Sequence, residues 1–171
     1  PYVGDKIYGL SSTHVGALFA LTAIGYAAGN FLAGRYSVRL GMNRMILIGC
    51  IVTTVGMALL ALLTLLGLSG PTTFFGLTIF MGLGNGICLP NANAGLLSVR
   101  PELAGTASGL GGAMMIGGGA ALSAVAGALL VPGAGAFPLL WTMFLSALAA
   151  TLSFLAVIRR ERRLGLDRTG A

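Results

Sequence analysis

The segment TFFGLTIFMGLGNGICLPNANAGLL, residues 73–97, contains no Asp, Glu, Lys or Arg. A helix needs about 20 predominantly apolar residues to cross the hydrocarbon core of a bilayer. A strand of a membrane barrel would be about ten residues long and would alternate in polarity, whereas this segment is much longer and apolar throughout. It therefore predicts a transmembrane helix, interrupted by Pro90.

Four other segments have the same character, and the five predicted spans are about 15–34, 45–68, 73–97, 106–130 and 139–158. The whole chain of 171 residues is 56% hydrophobic and 8% charged, whereas soluble domains contain about 25% charged residues. We predict an all-α membrane protein whose five transmembrane helices form a single domain, residues 1–171.

Except for Lys6 near the N-terminus, the basic residues lie in every second gap between the spans or follow the last span. Apart from Lys6 they are all arginines: Arg35, Arg39, Arg44, Arg100, Arg159, Arg160, Arg162, Arg163 and Arg168. Cytoplasmic loops of membrane proteins carry such an excess. The pattern predicts cytoplasmic loops at 35–44 and 98–105, a cytoplasmic C-terminus and an outside N-terminus. Because topology explains the net charge of +6, we expect no nucleic-acid partner.

The outside N-terminus has a second consequence. The residues after Pro1 show no signal-peptide pattern, so an upstream segment would have to carry the chain across the membrane. We expect the chain to be part of a longer protein, truncated at its N-terminus.

Polar residues inside the third span mark a possible site. Pro90 removes a backbone hydrogen bond, so we expect a helix bend there. Asn85, Asn91 and Asn93 should face protein or water, because an amide facing lipid is costly. They either form interhelical hydrogen bonds or line a substrate cavity. Asn85 is the better ligand candidate because it lies near mid-membrane, and Asn30 of the first span is interpreted in the same way.

Large adaptable side chains accompany these amides. Each one alone is best explained by core or lipid contact, but as a set they suit a pocket for varied apolar ligands, since methionine repacks readily. The set comprises Phe19, Tyr26, Met81, Met114, Met115, Trp141, Met143 and Phe144.

Glycine accounts for 28 residues, and several glycines are four positions apart: Gly25 with Gly29, Gly82 with Gly86, and Gly105 with Gly109. Such pairs let helix backbones approach closely in lipid. These pairs and the glycine run at 117–119 therefore predict helices that pack tightly, helices whose smooth faces slide past one another during a conformational change, or both.

The sequence does not indicate a catalytic site or a metal site. No Ser/His/Asp set, HExxH motif or paired carboxylates occur, so we predict no enzyme and no cofactor. Cys50 and Cys88 lack the spacing of a zinc site and are interpreted as buried inert thiols, with no metal. Because no Asp, Glu, Lys or Arg lies inside a span, a proton-coupling group would have to lie in a part not included here.

Two stretches resemble a known transporter family. The segment at 34–44, with Gly34, Arg35, Arg39, Gly41 and Arg44, resembles the G-x-x-x-D-R-x-G-x-x-R loop motif of the major facilitator superfamily. Val38 stands in place of the acid, as is common in the second-half copy of the motif, which indicates a C-terminal half. Residues 84–95 and 97–109, together with 16–29, look like the Bcr/CflA branch of drug/proton antiporters.

The resemblance implies that the spans are helices eight to twelve of a twelve-helix carrier, five of the six helices of one half. It also implies two halves that rock about a midplane cavity, with coupling acids mostly in the N-terminal half. In this family the seventh, eighth, tenth and eleventh helices line the cavity, which would direct six candidate substrate-binding residues toward substrate: Tyr26, Asn30, Met81, Asn85, Met114 and Met115.

We therefore expect part of a proton-coupled multidrug efflux carrier in the bacterial inner membrane. Its expected partners are a drug-like substrate, protons, the lipid bilayer and the missing half of the chain. The alternatives are an uptake carrier of the same superfamily for a small metabolite, or a free-standing five-helix protein with a structural or assembly role.

Overall fold

The computed structural model describes residues 3–98, 100–130 and 135–165. Within these ranges the chain forms five α-helices and no strand: α1 Ser12–Leu40, α2 Met42–Leu65, α3 Pro71–Ser98, α4 Ala104–Leu129 and α5 Phe137–Arg163. A π-helical turn, Val3–Ile7, precedes α1, and a 3-10 turn, Pro101–Leu103, precedes α4. All five helices are long and apolar enough to cross a membrane, which confirms the predicted all-α membrane fold.

Helix α3 is the centre of the fold. It packs against α1 on one side and against α2 on another, and α5 packs against α2. Helix α4 contacts α3 and α5 much less, and Ala126 is its single buried residue among those described. The architecture is thus a tight group of four helices with a fifth, loosely attached helix.

The predicted loop at 35–44 is wrong in its extent. Arg35 and Arg39 lie in the last two turns of α1, Arg44 lies in the first turn of α2, and Gly41 alone separates the helices. The predicted span ends at the first charged residue because only apolar residues were counted. Arginine is a good helix former, so the helix itself continues beyond the hydrocarbon core of the membrane. Gly41 ends it because its φ of 83° lies in the left-handed region, which favours glycine.

The end of α5 is corrected for the same reason. Residues 159–163, predicted as a tail beyond the last span, are the final turns of α5. The amide Nδ2 of Asn43, at the start of α2, donates to Oε2 of Glu161 at 2.7 Å. This hydrogen bond places the start of α2 and the end of α5 together, at the end of the bundle that carries the arginines.

The main apolar core occupies the opposite end of the bundle. Its buried members include Met57 and Leu60 of α2 and Phe74 and Phe75 of α3. The rings of Phe74 and Phe75 meet edge to face, with centroids 5.1 Å apart, an arrangement that aromatic pairs prefer. This core fixes the distance between α2 and α3 at its end of the bundle and so positions the cavity beside it.

Candidate substrate cavity

A cavity of about 790 Å³ lies among α2, α3, α4 and α5. Small-molecule sites usually measure about 300–1,000 Å³. Val3, Gly4, Phe74 and Phe75 bound it at the core end, and Phe19 of α1 adds to the wall. The other lining residues are Gly49, Cys50, Thr53, Met57, Met81, Asn85, Cys88, Leu89, Gly119, Leu122, Ser123, Ala126, Gly127, Leu130, Leu139, Thr142, Met143, Ser146, Ala147 and Ala150.

The space exists because two walls are built from small residues. Helix α4 contributes Gly119, Ser123, Ala126 and Gly127, and α5 contributes residues 146, 147 and 150, which are Ser, Ala and Ala. These side chains are too short to reach the opposite walls. The facing helices α2 and α3 carry Met57 and Met81, and α5 itself adds Met143. Their thioethers adapt to ligands of different shape.

Two of the six candidate residues, Met81 and Asn85, lie in the wall of this cavity. Tyr26, Asn30, Met114 and Met115 are not among its lining residues. Met114 and Met115 are 70% and 57% exposed on α4. Asn30 donates its amide hydrogen to the carbonyl of Tyr26, one turn earlier in α1, at 2.9 Å. The structure thus divides the candidates between the cavity and other surfaces; their contact with substrate stays a prediction.

The asparagines of α3 have three different environments. Asn91 is buried, and its Nδ2 donates to the carbonyl of Ile87 at 2.8 Å. Asn93 is exposed and lies outside the cavity. Asn85 is exposed to the cavity, and its amide has no hydrogen-bond partner among the residues that the structure describes. It therefore offers donors and an acceptor to whatever occupies the cavity.

Hydroxyl groups line the cavity at positions that the sequence analysis did not single out. Thr53, Thr142 and Ser146 each donate to the backbone carbonyl four residues earlier, at 3.1, 2.7 and 2.6 Å respectively. Their oxygens can still accept a hydrogen bond from a ligand. The sequence did contain one indication of this polar wall: the four-residue spacing of Thr142 and Ser146, which places both on one face of α5.

The two cysteines also belong to this wall and are less buried than the sequence predicted. Cys50 and Cys88 are both half-buried, and their Sγ atoms are 3.9 Å apart. Sequence spacing gave no sign of this contact because the residues lie on different helices. Their proximity results from the packing of α2 against α3.

A family model described as the Major Facilitator Superfamily matches residues 3–170. The chain belongs to the major facilitator superfamily. No curated protein and no solved structure matched it. Members of this superfamily are membrane transporters and are generally not enzymes. This superfamily member is accordingly a multi-pass membrane protein with the helices of a transporter.

The motif residues of this superfamily member lie at the arginine-bearing end of the bundle. Gly34, Arg35 and Arg39 are exposed on the last turns of α1, and Arg44 is exposed on the first turn of α2. Val38, in the position of the motif's acid, is 94% exposed. Helix α3 continues through Pro90 as one helix, and the bend expected there stays a prediction.

Proposed function

We propose that the chain is the C-terminal part of a Bcr/CflA-like, proton-coupled carrier that exports small amphipathic compounds by alternating access. The observation that carries this proposal is the cavity wall, whose described residues supply apolar side chains, thioethers, thiols, hydroxyls and one amide but no charged group. Apolar and flexible walls accept varied shapes, and a few polar groups orient the ligand. This chemistry suits a neutral or weakly polar drug-like compound.

The main alternative is an uptake carrier for a small metabolite. A charged metabolite would need an opposite charge in the wall, because an unpaired charge in a low-dielectric site is very costly. Among the described residues that line the cavity, none is Asp, Glu, Lys or Arg. The wall therefore favours an amphipathic compound over a charged metabolite as the substrate.

The proposal assigns proton coupling to the N-terminal half of the same protein. The charged residues of α1 to α5 lie at the helix ends, away from the cavity, so the described helices would supply shape and apolar contact. We place the carrier in the bacterial inner membrane. The arginine-bearing end and the C-terminus would face the cytoplasm, where the positive-inside rule puts such clusters.

Asn85→Leu in the complete protein tests the site. The protein would be produced in a bacterial strain that lacks its own efflux pumps, and proton-gradient-driven uptake of amphipathic compounds would be measured in everted vesicles. Losing one hydrogen bond to the substrate should weaken transport roughly two- to tenfold. The matched control is Asn93→Leu, the same change on the same helix outside the cavity, and it should leave transport unaltered.

Equal transport by the Asn85 and Asn93 variants at equal membrane levels would remove Asn85 from the site. The efflux function itself would be refuted if a proton gradient drove no compound into vesicles that contain the folded wild-type protein.

A further inference from the structure

Two thiols from neighbouring helices meet in the cavity wall. Cys50 on α2 and Cys88 on α3 have Sγ atoms 3.9 Å apart, and neither is in a disulfide. Both are half-buried and line the cavity, so a small ligand there can reach both sulfur atoms. The inference from this pair does not depend on which compound the carrier moves.

The backbone beneath the thiols holds them in place. A Cβ atom at Gly49, the residue before Cys50, would lie 2.5 Å from the carbonyl oxygen of Gly84 and 2.9 Å from the backbone nitrogen of Cys88. The backbones of α2 and α3 therefore touch beside the two cysteines. The separation of the sulfur atoms is set by this close packing as well as by side-chain rotation.

The sulfur–sulfur distance is suited to a shared metal ion. Two thiolates at about 2.3 Å from a tetrahedral ion lie roughly 3.8 Å apart, close to the observed 3.9 Å. A disulfide requires about 2.05 Å, so the sulfur atoms would have to move much closer. We propose that Cys50 and Cys88 form a two-thiolate site for one divalent, thiophilic ion of the Zn(II) or Cd(II) class, bridging α2 and α3.

The charge balance favours a divalent ion. Binding breaks two S–H bonds, forms two metal–sulfur bonds and releases two protons to water, because the ligands are thiolates. The product of M²⁺ and two thiolates is neutral, whereas a monovalent ion would leave a net negative charge inside a membrane span, which is costly. Soft thiolate donors also select thiophilic ions over Mg²⁺ or Ca²⁺.

The site has open coordination positions. Among the described residues no group of three or more His, Cys, Asp or Glu side chains is placed to hold a metal, so two of the four tetrahedral positions are left for water or for cargo. The neighbouring wall residues Thr53 and Asn85 bear oxygen atoms in the same cavity. An ion held here would tie α2 to α3 and remain accessible from the cavity.

Titration with Cd²⁺ alone tests the site. The complete protein would be purified in detergent, reduced and freed of metal. The readout is the ultraviolet thiolate-to-cadmium charge-transfer band, with the Cys50→Ser/Cys88→Ser double variant as the baseline. We expect the band to saturate at one additional ion per chain relative to this variant, with two protons released per ion. Each single serine variant should show a much weaker band and bind at least tenfold more weakly, whereas Ser98→Ala, which removes a hydroxyl of α3 outside the cavity, should bind as the wild type does.

Single variants that bind Cd²⁺ as the wild type does would overturn the proposal. The proposal would also be overturned if a mild oxidant joined the two thiols in a disulfide while the reduced protein took up no cadmium. The pair would then be a disulfide site. If a variant fails to fold, alkylation of the wild-type protein gives a second test. Cd²⁺ should protect Cys50 and Cys88 from the reagent, and equal alkylation with and without the ion contradicts the site.

Discussion

Glycines four residues apart occur both in the contact between α1 and α3 and on the surface of α4. They are tightly packed in the first region and unpacked in the second. Gly25 and Gly29 of α1 face Gly82 and Gly86 of α3 so closely that a Cβ at any of the four would overlap the opposing backbone. Gly105 and Gly109 of α4 have the same spacing, yet no atom lies within 4 Å of a Cβ built on either.

The difference teaches that a four-residue glycine spacing makes close approach possible but does not supply the partner. On α1 and α3 the two glycine faces are complementary, and dispersion contacts between backbones hold the helices together in a solvent as apolar as their side chains. On α4 the smooth face is unopposed within the described structure, except at Gly111, whose Cβ would meet a side-chain methyl of Leu96.

The largest effect is expected from Gly29→Ala. A Cβ there would overlap the carbonyl oxygen of Leu83 and lie 2.9 Å from the backbone nitrogen of Ile87, so the two helices would have to separate. Overpacking of this kind costs roughly 1–3 kcal/mol, although alanine alone would favour the helix by about 1 kcal/mol. The free energy of unfolding in mixed detergent micelles should fall accordingly.

Gly16→Ala is the matched control for this prediction. It lies on the same helix, and nothing lies within 4 Å of a Cβ built at that position. It should not lower the unfolding free energy. If Gly29→Ala proved as stable as Gly16→Ala, the close α1–α3 contact would be refuted.

A smaller effect is expected from the hydroxyl pair in the same contact. Thr22 Oγ1 and Thr78 Oγ1 are 2.6 Å apart, and Thr78 donates to the carbonyl of Phe75, also at 2.6 Å. Because each hydroxyl has one hydrogen, Thr22 must be the donor to Thr78. Interhelical hydrogen bonds of this kind average about 0.6 kcal/mol.

A double-mutant cycle with Thr22→Val and Thr78→Val measures this coupling directly. The double variant should lose about 0.6 kcal/mol less than the sum of the single variants. Strict additivity of the two changes would show that the hydroxyls do not interact, and the glycine contacts alone would then account for the α1–α3 packing.

The smallest effect is expected on α4. Gly118→Ala introduces a methyl group where nothing lies within 4 Å, so the unfolding free energy should stay within about 0.5 kcal/mol or rise slightly through helix propensity. The same unfolding measurement, made on the complete protein, checks this. A loss as large as that of Gly29→Ala would mean that this face of α4 packs against another part of the carrier.

The sequence alone determined the spans and the uneven distribution of charge. Both depend on local quantities, the length of an apolar run and the position of arginines, and the five predicted spans each correspond to one observed helix. The helix ends at 35–44 were misplaced, because a basic residue marks where the hydrocarbon ends and not where the helix ends.

The tertiary structure decided which faces meet. Helices α1 to α4 are apolar all round, so no stripe of hydrophobic residues indicates which side is inside. The pairing of Gly29 with Gly86, the contact between Cys50 and Cys88, and the placement of Asn85 in a cavity all result from how α3 is rotated between α1 and α2. That rotation is selected by the fit of small residues against backbone, a property of two helices together that neither segment shows by itself.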